Sequence, residues 1–227
     1  PRVSPDGRFV AFVGSEDSTS SNHPALQLRV IALDGGDERT LVADLPGRMG
    51  SGRAGGYLQW QADGQALRYI VENEGSRSLY EVSLSGTVRP IAAGKYNLSL
   101  TSVSEAGIAV GTRATAHRPA ELVRVETTGE IQQLIALNEA TFAQLELGRV
   151  EELWYSSADG TKIQGWLVYP PDFRAEHKYP LILDIHGGPE NMAEGQFDFA
   201  IQEMAAAGYL VFYANPRGST GYGSAFA

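Results

Sequence analysis

The sequence contains no cysteine, which removes disulfides and thiolate-bound metal from consideration. That fits the cytoplasm, the expected compartment, although a cysteine-poor periplasmic or secreted protein would look the same. No apolar run approaches the roughly 20 residues that a membrane helix needs. Basic residues are scarce: 18 Lys and Arg stand against 27 Asp and Glu, a formal net charge of −9. Nucleic acid and anionic membranes reward cations, so neither is expected as a partner. No cofactor and no metal site is expected, and no signal peptide is visible. What is present is ordinary for a globular protein, 43% hydrophobic and 20% charged, in 227 residues that suffice for two domains.

Two stretches stand out. Leu181 to Ile185 is an Ile- and Leu-rich run between Pro180 and Gly187-Gly188-Pro189, which predicts a short buried strand ending in a tight loop. Glycines there let backbone N–H groups approach a ligand, as one half of an oxyanion hole requires. His-Gly-Gly-Pro alone suits a plain strand-to-helix turn equally well. Downstream, Phe197, Ala200, Ile201, Met204 and Ala205 recur at helical spacing, and Gly208 supplies a C-terminal stop. Tyr209 to Ala214 reads as a second strand, running into Asn215-Pro-Arg-Gly-Ser-Thr-Gly-Tyr-Gly223. Strand, helix and strand make a βαβ unit with parallel strands, whose ligand site lies beyond their carboxyl ends. Phe199, Phe212 and Tyr213 are expected in the core. Upstream, Val150 to Ser157 and Ile163 to Tyr169 flank Ala158-Asp-Gly160 as a hairpin.

The first 140 residues repeat a turn followed by short strands. Ser4-Pro-Asp-Gly7 leads into strands ending near Val13, Ala32 and Ala43. Gln61-Ala-Asp-Gly64 leads into strands ending near Val71, Val82 and Ile91. Ser104-Glu-Ala-Gly107 opens a third, weaker set ending near Gly111, Val125 and Leu134. The second and third turns lie about one propeller repeat apart. Gly47 to Gly56, with five glycines and two arginines, reads as a flexible insertion in the first interval. A generic β-sandwich would show similar strands.

Ser157 to Leu167, Tyr179 to Pro189 and Asn215 to Gly223 together resemble the prolyl oligopeptidase family of serine peptidases, nearest its acylaminoacyl-peptidase and dipeptidyl-aminopeptidase-like branch. The resemblance implies a partial β-propeller of about three blades over residues 1–145, followed by the N-terminal part of an α/β-hydrolase domain over 146–227. Three blades cannot close, so the chain is expected to be an internal segment of a longer protein. The resemblance also implies acyl transfer to a serine and hydrolysis of short peptides, with His186, Gly187, Gly188 and Pro189 as the oxyanion loop. Arg217, Gly218, Ser219 and Tyr222 are then substrate-adjacent or bracing. Arg217 is expected to brace the glycine loop through Asp184 or Glu190, and Tyr222 to pack on the sheet. For His186 a structural hydrogen bond is the expected use.

A nucleophile elbow, Gly-x-Ser-x-Gly, is not found: Ser219 has Arg217 two residues before it, and Ser224 lacks both glycines. His23, His117 and His177 read as solvated or structural. The triad is therefore expected after Ala227, and the remainder of its own chain becomes a partner, with a homo-oligomer as another. A non-catalytic propeller-hydrolase scaffold and a related esterase remain open alternatives. The 227-residue chain alone is expected to leave aminoacyl and acylaminoacyl chromogenic substrates unhydrolysed; turnover abolished by a serine-directed phosphonate would contradict this.

Overall fold

The structure is a computed structural model that describes residues 1–15, 25–36, 38–49, 57–188 and 190–227. His23, Pro189 and residues 50–56 of the glycine-rich insertion lie outside the described residues. Three successive four-stranded antiparallel meanders come first. The first holds β1 (Arg2–Val3), β2 (Phe9–Gly14), β3 (Gln27–Ala32) and β4 (Arg39–Val42). The second holds β5 (Leu58–Trp60), β6 (Ala66–Asn73), β7 (Ser76–Ser83) and β8 (Val88–Ala92). The third holds β9 (Asn97–Val103), β10 (Ala109–Thr115), β11 (Arg118–Val125) and β12 (Ile131–Gln133). A parallel bridge between Arg77 and Asn97 joins the second and third into one eight-stranded sheet.

The repeat has a local cause. Gly7, Gly64 and Gly107, each two residues before the second strand of its meander, take φ of 71°, 67° and 79°. Only glycine adopts that conformation without strain, so each Asp-Gly or Ala-Gly pair turns the chain back on itself. Neighbouring meanders then bury one another's apolar faces. Leu28, Val30, Leu67 and Val82 meet in one core, and Ile70, Leu79, Leu98 and Val123 in the next. Each such side chain contributes about 1.5–3 kcal/mol by leaving water.

A short helix, α1 (Glu139–Phe142), leads to a mixed sheet of β13 (Val150–Ser156), β14 (Lys162–Val168), β15 (Leu181–Asp184) and β16 (Leu210–Asn215), with α2 (Phe199–Ala206) between the last two. The spatial order is β13-β14-β16-β15, antiparallel except for the parallel pair of β15 and β16. The Asp198 carboxylate accepts from Ile201 N–H at 3.1 Å and starts α2, and Gly208 at φ 93° ends it. Trp166, Val168, Ala205, Val211 and Tyr213 form the core under it. Among the described residues no helix is long and apolar enough to cross a membrane.

Three expectations need correction. β15 is not buried: it has one neighbour, so Leu181, Leu183 and Ile185 are 60%, 57% and 70% exposed. Phe199 is exposed rather than core, because α2 begins there and buries Gln202 and Ala205 instead. Gly47 is no open loop position, since a Cβ on it would lie 2.8 Å from Gly221 N and 2.9 Å from Glu72 O.

The β6–β7 hairpin docks the meanders on the mixed sheet. Its two-residue tip, Glu74 and Gly75, has φ of 46° and 70°, positive at both positions as a type I′ turn requires. Glu74 N donates to Gly221 O at 2.9 Å and Gly195 N to Gly75 O at 2.9 Å. A Cβ on Gly75 would stand 2.4 Å from the Trp166 ring. Gly75→Ala is therefore expected to destabilise by about 2–4 kcal/mol through overpacking and left-handed strain. Glu74→Asn, relieving an exposed left-handed glutamate, is expected to stabilise by about 0.5–1 kcal/mol. Urea unfolding of both variants checks the pair.

Candidate active site

Both glycine-rich loops leave the same edge of the mixed sheet, because β15 and β16 run parallel with Asp184 opposite Tyr213. The loop after β15 carries His186, Gly187 and Gly188; the loop after β16 carries Arg217, Gly218, Ser219 and Tyr222. They touch through His186 Nε2 and Ser219 Oγ, 3.1 Å apart. Gly188 has φ 154°, and a Cβ there would lie 2.7 Å from Glu190 N, so no other residue fits without moving the loop. Gly187 and Gly188 are exposed, and neither N–H meets an acceptor among the described residues. Free backbone donors at the carboxyl end of a parallel strand suit an anion or a carbonyl oxygen that gains charge.

The second loop is built for rigidity. Pro216 O accepts from Ser219 N at 3.0 Å, with Gly218 at φ 97° in the position where a type II turn demands a glycine. Ser219 is fully buried and its hydroxyl lies 2.7 Å from Pro216 O, so it is not placed to attack a substrate. Asn215 is also fully buried. Its Oδ1 accepts from Ala193 N at 2.6 Å, and its Nδ2 donates to Ala193 O at 2.9 Å and to the Tyr222 hydroxyl at 2.7 Å. Tyr222 in turn donates to Gln164 on β14, and burial pushes its phenol well above the usual range. Asn215 thus fastens the stretch after Gly188 to the end of β16.

Arg217 pairs with Asp159 at 2.5 Å, not with Asp184 or Glu190. The register explains this: Gln164 opposes Asn215, so the β13–β14 turn that holds Asp159 lies beside the start of the second loop. A hydrogen bond from Ser157, then bonds to Thr161, hold the Asp159 carboxyl below the usual range, and the Arg217 charge adds to them. The pair lies at the surface, where solvent screens the attraction between its charges. Glu190 instead reaches Arg48 of the first meander at 2.7 Å. His117 and His177 are exposed, away from these contacts.

A buried polar cluster beneath the site was not anticipated. Arg77 on β7 pairs with Glu194 and lies 3.4 Å from Glu72 on β6. Glu72 also accepts from Thr220 Oγ1 at 2.7 Å and from Arg48 N at 3.2 Å. Two carboxylates share one guanidinium here. Burial first, with the Glu72 charge adding to it, raises the Glu194 pKa above 4.5 against the opposing pull of Arg77. A carboxyl raised on folding stabilises fully below its unfolded pKa and loses that contribution as pH climbs through the folded value. Urea unfolding from pH 4 to 7 is therefore expected to show the wild type losing stability relative to Glu194→Gln as pH rises past 4.5; parallel curves would contradict this.

The sequence profile of the prolyl oligopeptidase family matches residues 195–227. The chain is similar to an uncharacterized peptidase, YuxL, of Bacillus subtilis, 36% identical over 74% of this chain and 26% of the relative. It is also similar to dipeptidyl-peptidase 5 of Porphyromonas gingivalis, 29% identical over 98% of this chain and 32% of the relative. Among solved structures, the acylaminoacyl peptidase of Pyrococcus horikoshii superposes with a TM-score of 0.77 at 28% identity, over 98% of this chain and 33% of that one. The chain thus spans about a quarter to a third of the length of the relatives it matches. With the glycine-rich loops, the sheet order and these relatives in agreement, the chain belongs to the prolyl oligopeptidase family.

Proposed function

We propose that this chain is part of a serine peptidase that cleaves short peptides through an acyl-enzyme, and that Gly188 N–H, with Gly187 beside it, supplies half of the oxyanion hole. In this reading the three meanders are blades of a partial β-propeller, residues 1–145, and β13 to β16 with α2 begin an α/β-hydrolase domain, residues 146–227. The strand order and the single parallel pair support that assignment. The observation that carries the function is the exposed Gly187-Gly188 pair at the carboxyl end of β15, whose N–H groups meet no acceptor among the described residues. As a serine attacks the peptide carbonyl, negative charge collects on the oxygen, and fixed N–H donors stabilise it without reorganising. The open edge of β15 suits a further parallel strand, and a nucleophile elbow stands at the carboxyl end of such a strand. The nucleophile, acid and base are assigned to sequence after Ala227.

The full-length protein is expected to hydrolyse dipeptidyl or acylaminoacyl p-nitroanilides and to be silenced by a serine-directed phosphonate. Gly188→Ala, which forces the loop off Glu190 N, is expected to lower kcat by about 10²-fold, the scale of one lost oxyanion donor, with a smaller change in KM. A full-length protein without turnover would favour the scaffold reading, and an unimpaired Gly188→Ala enzyme would remove the loop from the mechanism.

A further inference from the structure

The carbonyl of Gly187 and the N–H of Gly188 belong to one peptide plane and, in the trans form, point in opposite directions. Whatever holds that carbonyl also aims that N–H. His186 Nδ1 lies 3.1 Å from Gly187 O, and the other ring nitrogen lies 3.1 Å from Ser219 Oγ. Ser219 is anchored in turn: its hydroxyl is 2.7 Å and its backbone N–H 3.0 Å from Pro216 O, inside the turn that leaves β16. The four groups form an unbroken line from the rigid end of β16 to the peptide plane that carries the oxyanion donor.

We propose that Ser219 and His186 are positioning residues that aim Gly188 N–H at the developing oxyanion, an inference that rests on the oxyanion role assigned above. The proton inventory supports it. A carbonyl oxygen only accepts, so the contact at Gly187 O requires the ring proton on Nδ1. In the neutral ring Nε2 is then an acceptor, and the Ser219 hydroxyl has a single proton to share between Nε2 and Pro216 O. With both ring nitrogens protonated, Nε2 donates to Ser219 and the hydroxyl turns wholly to Pro216. The Nδ1–H bond to Gly187 O persists in both states. Ser219, fully buried, therefore reaches the reacting carbonyl only through His186.

The test is a double-mutant cycle in the full-length protein with Ser219→Ala, His186→Ala and both, with His186→Asn as the conservative variant. Turnover of a dipeptidyl p-nitroanilide gives kcat and KM, and 15N NMR of the His186 ring and the Gly188 amide gives a readout besides activity. Ser219→Ala is expected to lower kcat by about 10- to 100-fold, the range of small misplacements, with KM changed less than about threefold. Adding Ser219→Ala to His186→Ala is expected to cost less than about twofold more, because the serine acts through the ring. His186→Asn, whose amide N–H stands where Nδ1–H stood, is expected to recover part of the His186→Ala loss. The wild-type ring is expected to carry its proton on Nδ1 and to lose that preference in Ser219→Ala, with the Gly188 amide resonance moving. Additive losses, full kcat in Ser219→Ala, or a ring protonated on Nε2 alone would overturn the proposal while leaving the peptidase reading standing. A wild-type protein without turnover overturns that reading and this role with it.

Discussion

The insertion of the β6–β7 hairpin tip against Trp166 fixes the relation between the meanders and the mixed sheet. Gly75 lies so close to the indole that no side chain fits, and the tip's backbone is bonded to Gly195 on one loop and Gly221 on the other. Both loops belong to the candidate site. The same hairpin carries Glu72 and Arg77, which hold Thr220 and Glu194 of those loops. A single β-turn therefore sets the backs of both loops, and the faces they present to solvent follow from it.

The site is consequently braced from beneath by two kinds of contact. Neutral hydrogen bonds from Asn215 fasten the stretch after Gly188 to β16, and each bond of this kind contributes about 0.5–1.5 kcal/mol. The charged cluster of Glu72, Arg77 and Glu194 is a costlier device, because buried ions repay their desolvation only when fully bonded. Among the described residues, Nε of Arg77 and Oε2 of Glu194 have no hydrogen-bond partner. Burial first, and the Glu72 charge with it, raise the Glu194 pKa despite Arg77. Packing holds the rest: Trp166 stacks on Tyr213 at 5.2 Å beneath the strands from which the loops spring.

What the sequence revealed was local. Glycine turns repeat before β2, β6 and β10 because left-handed backbone demands glycine. The β13–β14 hairpin, α2 with its Gly208 stop, and the two glycine loops were legible for the same reason. First strands of the meanders escaped notice. β5 is three residues long, while β9 alternates Leu98 and Leu100 with polar residues, a period-two signal that was present and could have been read. Contacts between distant segments had no such signal. Arg217 found Asp159 through the register of β14 on β16, and Glu194 found Arg77 across more than a hundred residues; neither spacing nor composition encodes such meetings. Apolar content misled at Leu181, Leu183 and Phe199, where hydrophobic residues face outward, since burial depends on what packs against a strand rather than on its own composition.

The direction of the Gly188 N–H group decides whether the loop serves the oxyanion, and a structure of the full-length protein carrying a covalent serine phosphonate would measure it. The predicted result is a phosphonyl oxygen about 2.7–3.1 Å from Gly188 N, on the side of the peptide opposite the His186 contact. An adduct whose oxygen is held elsewhere, with Gly188 N–H turned away from it, would contradict the account.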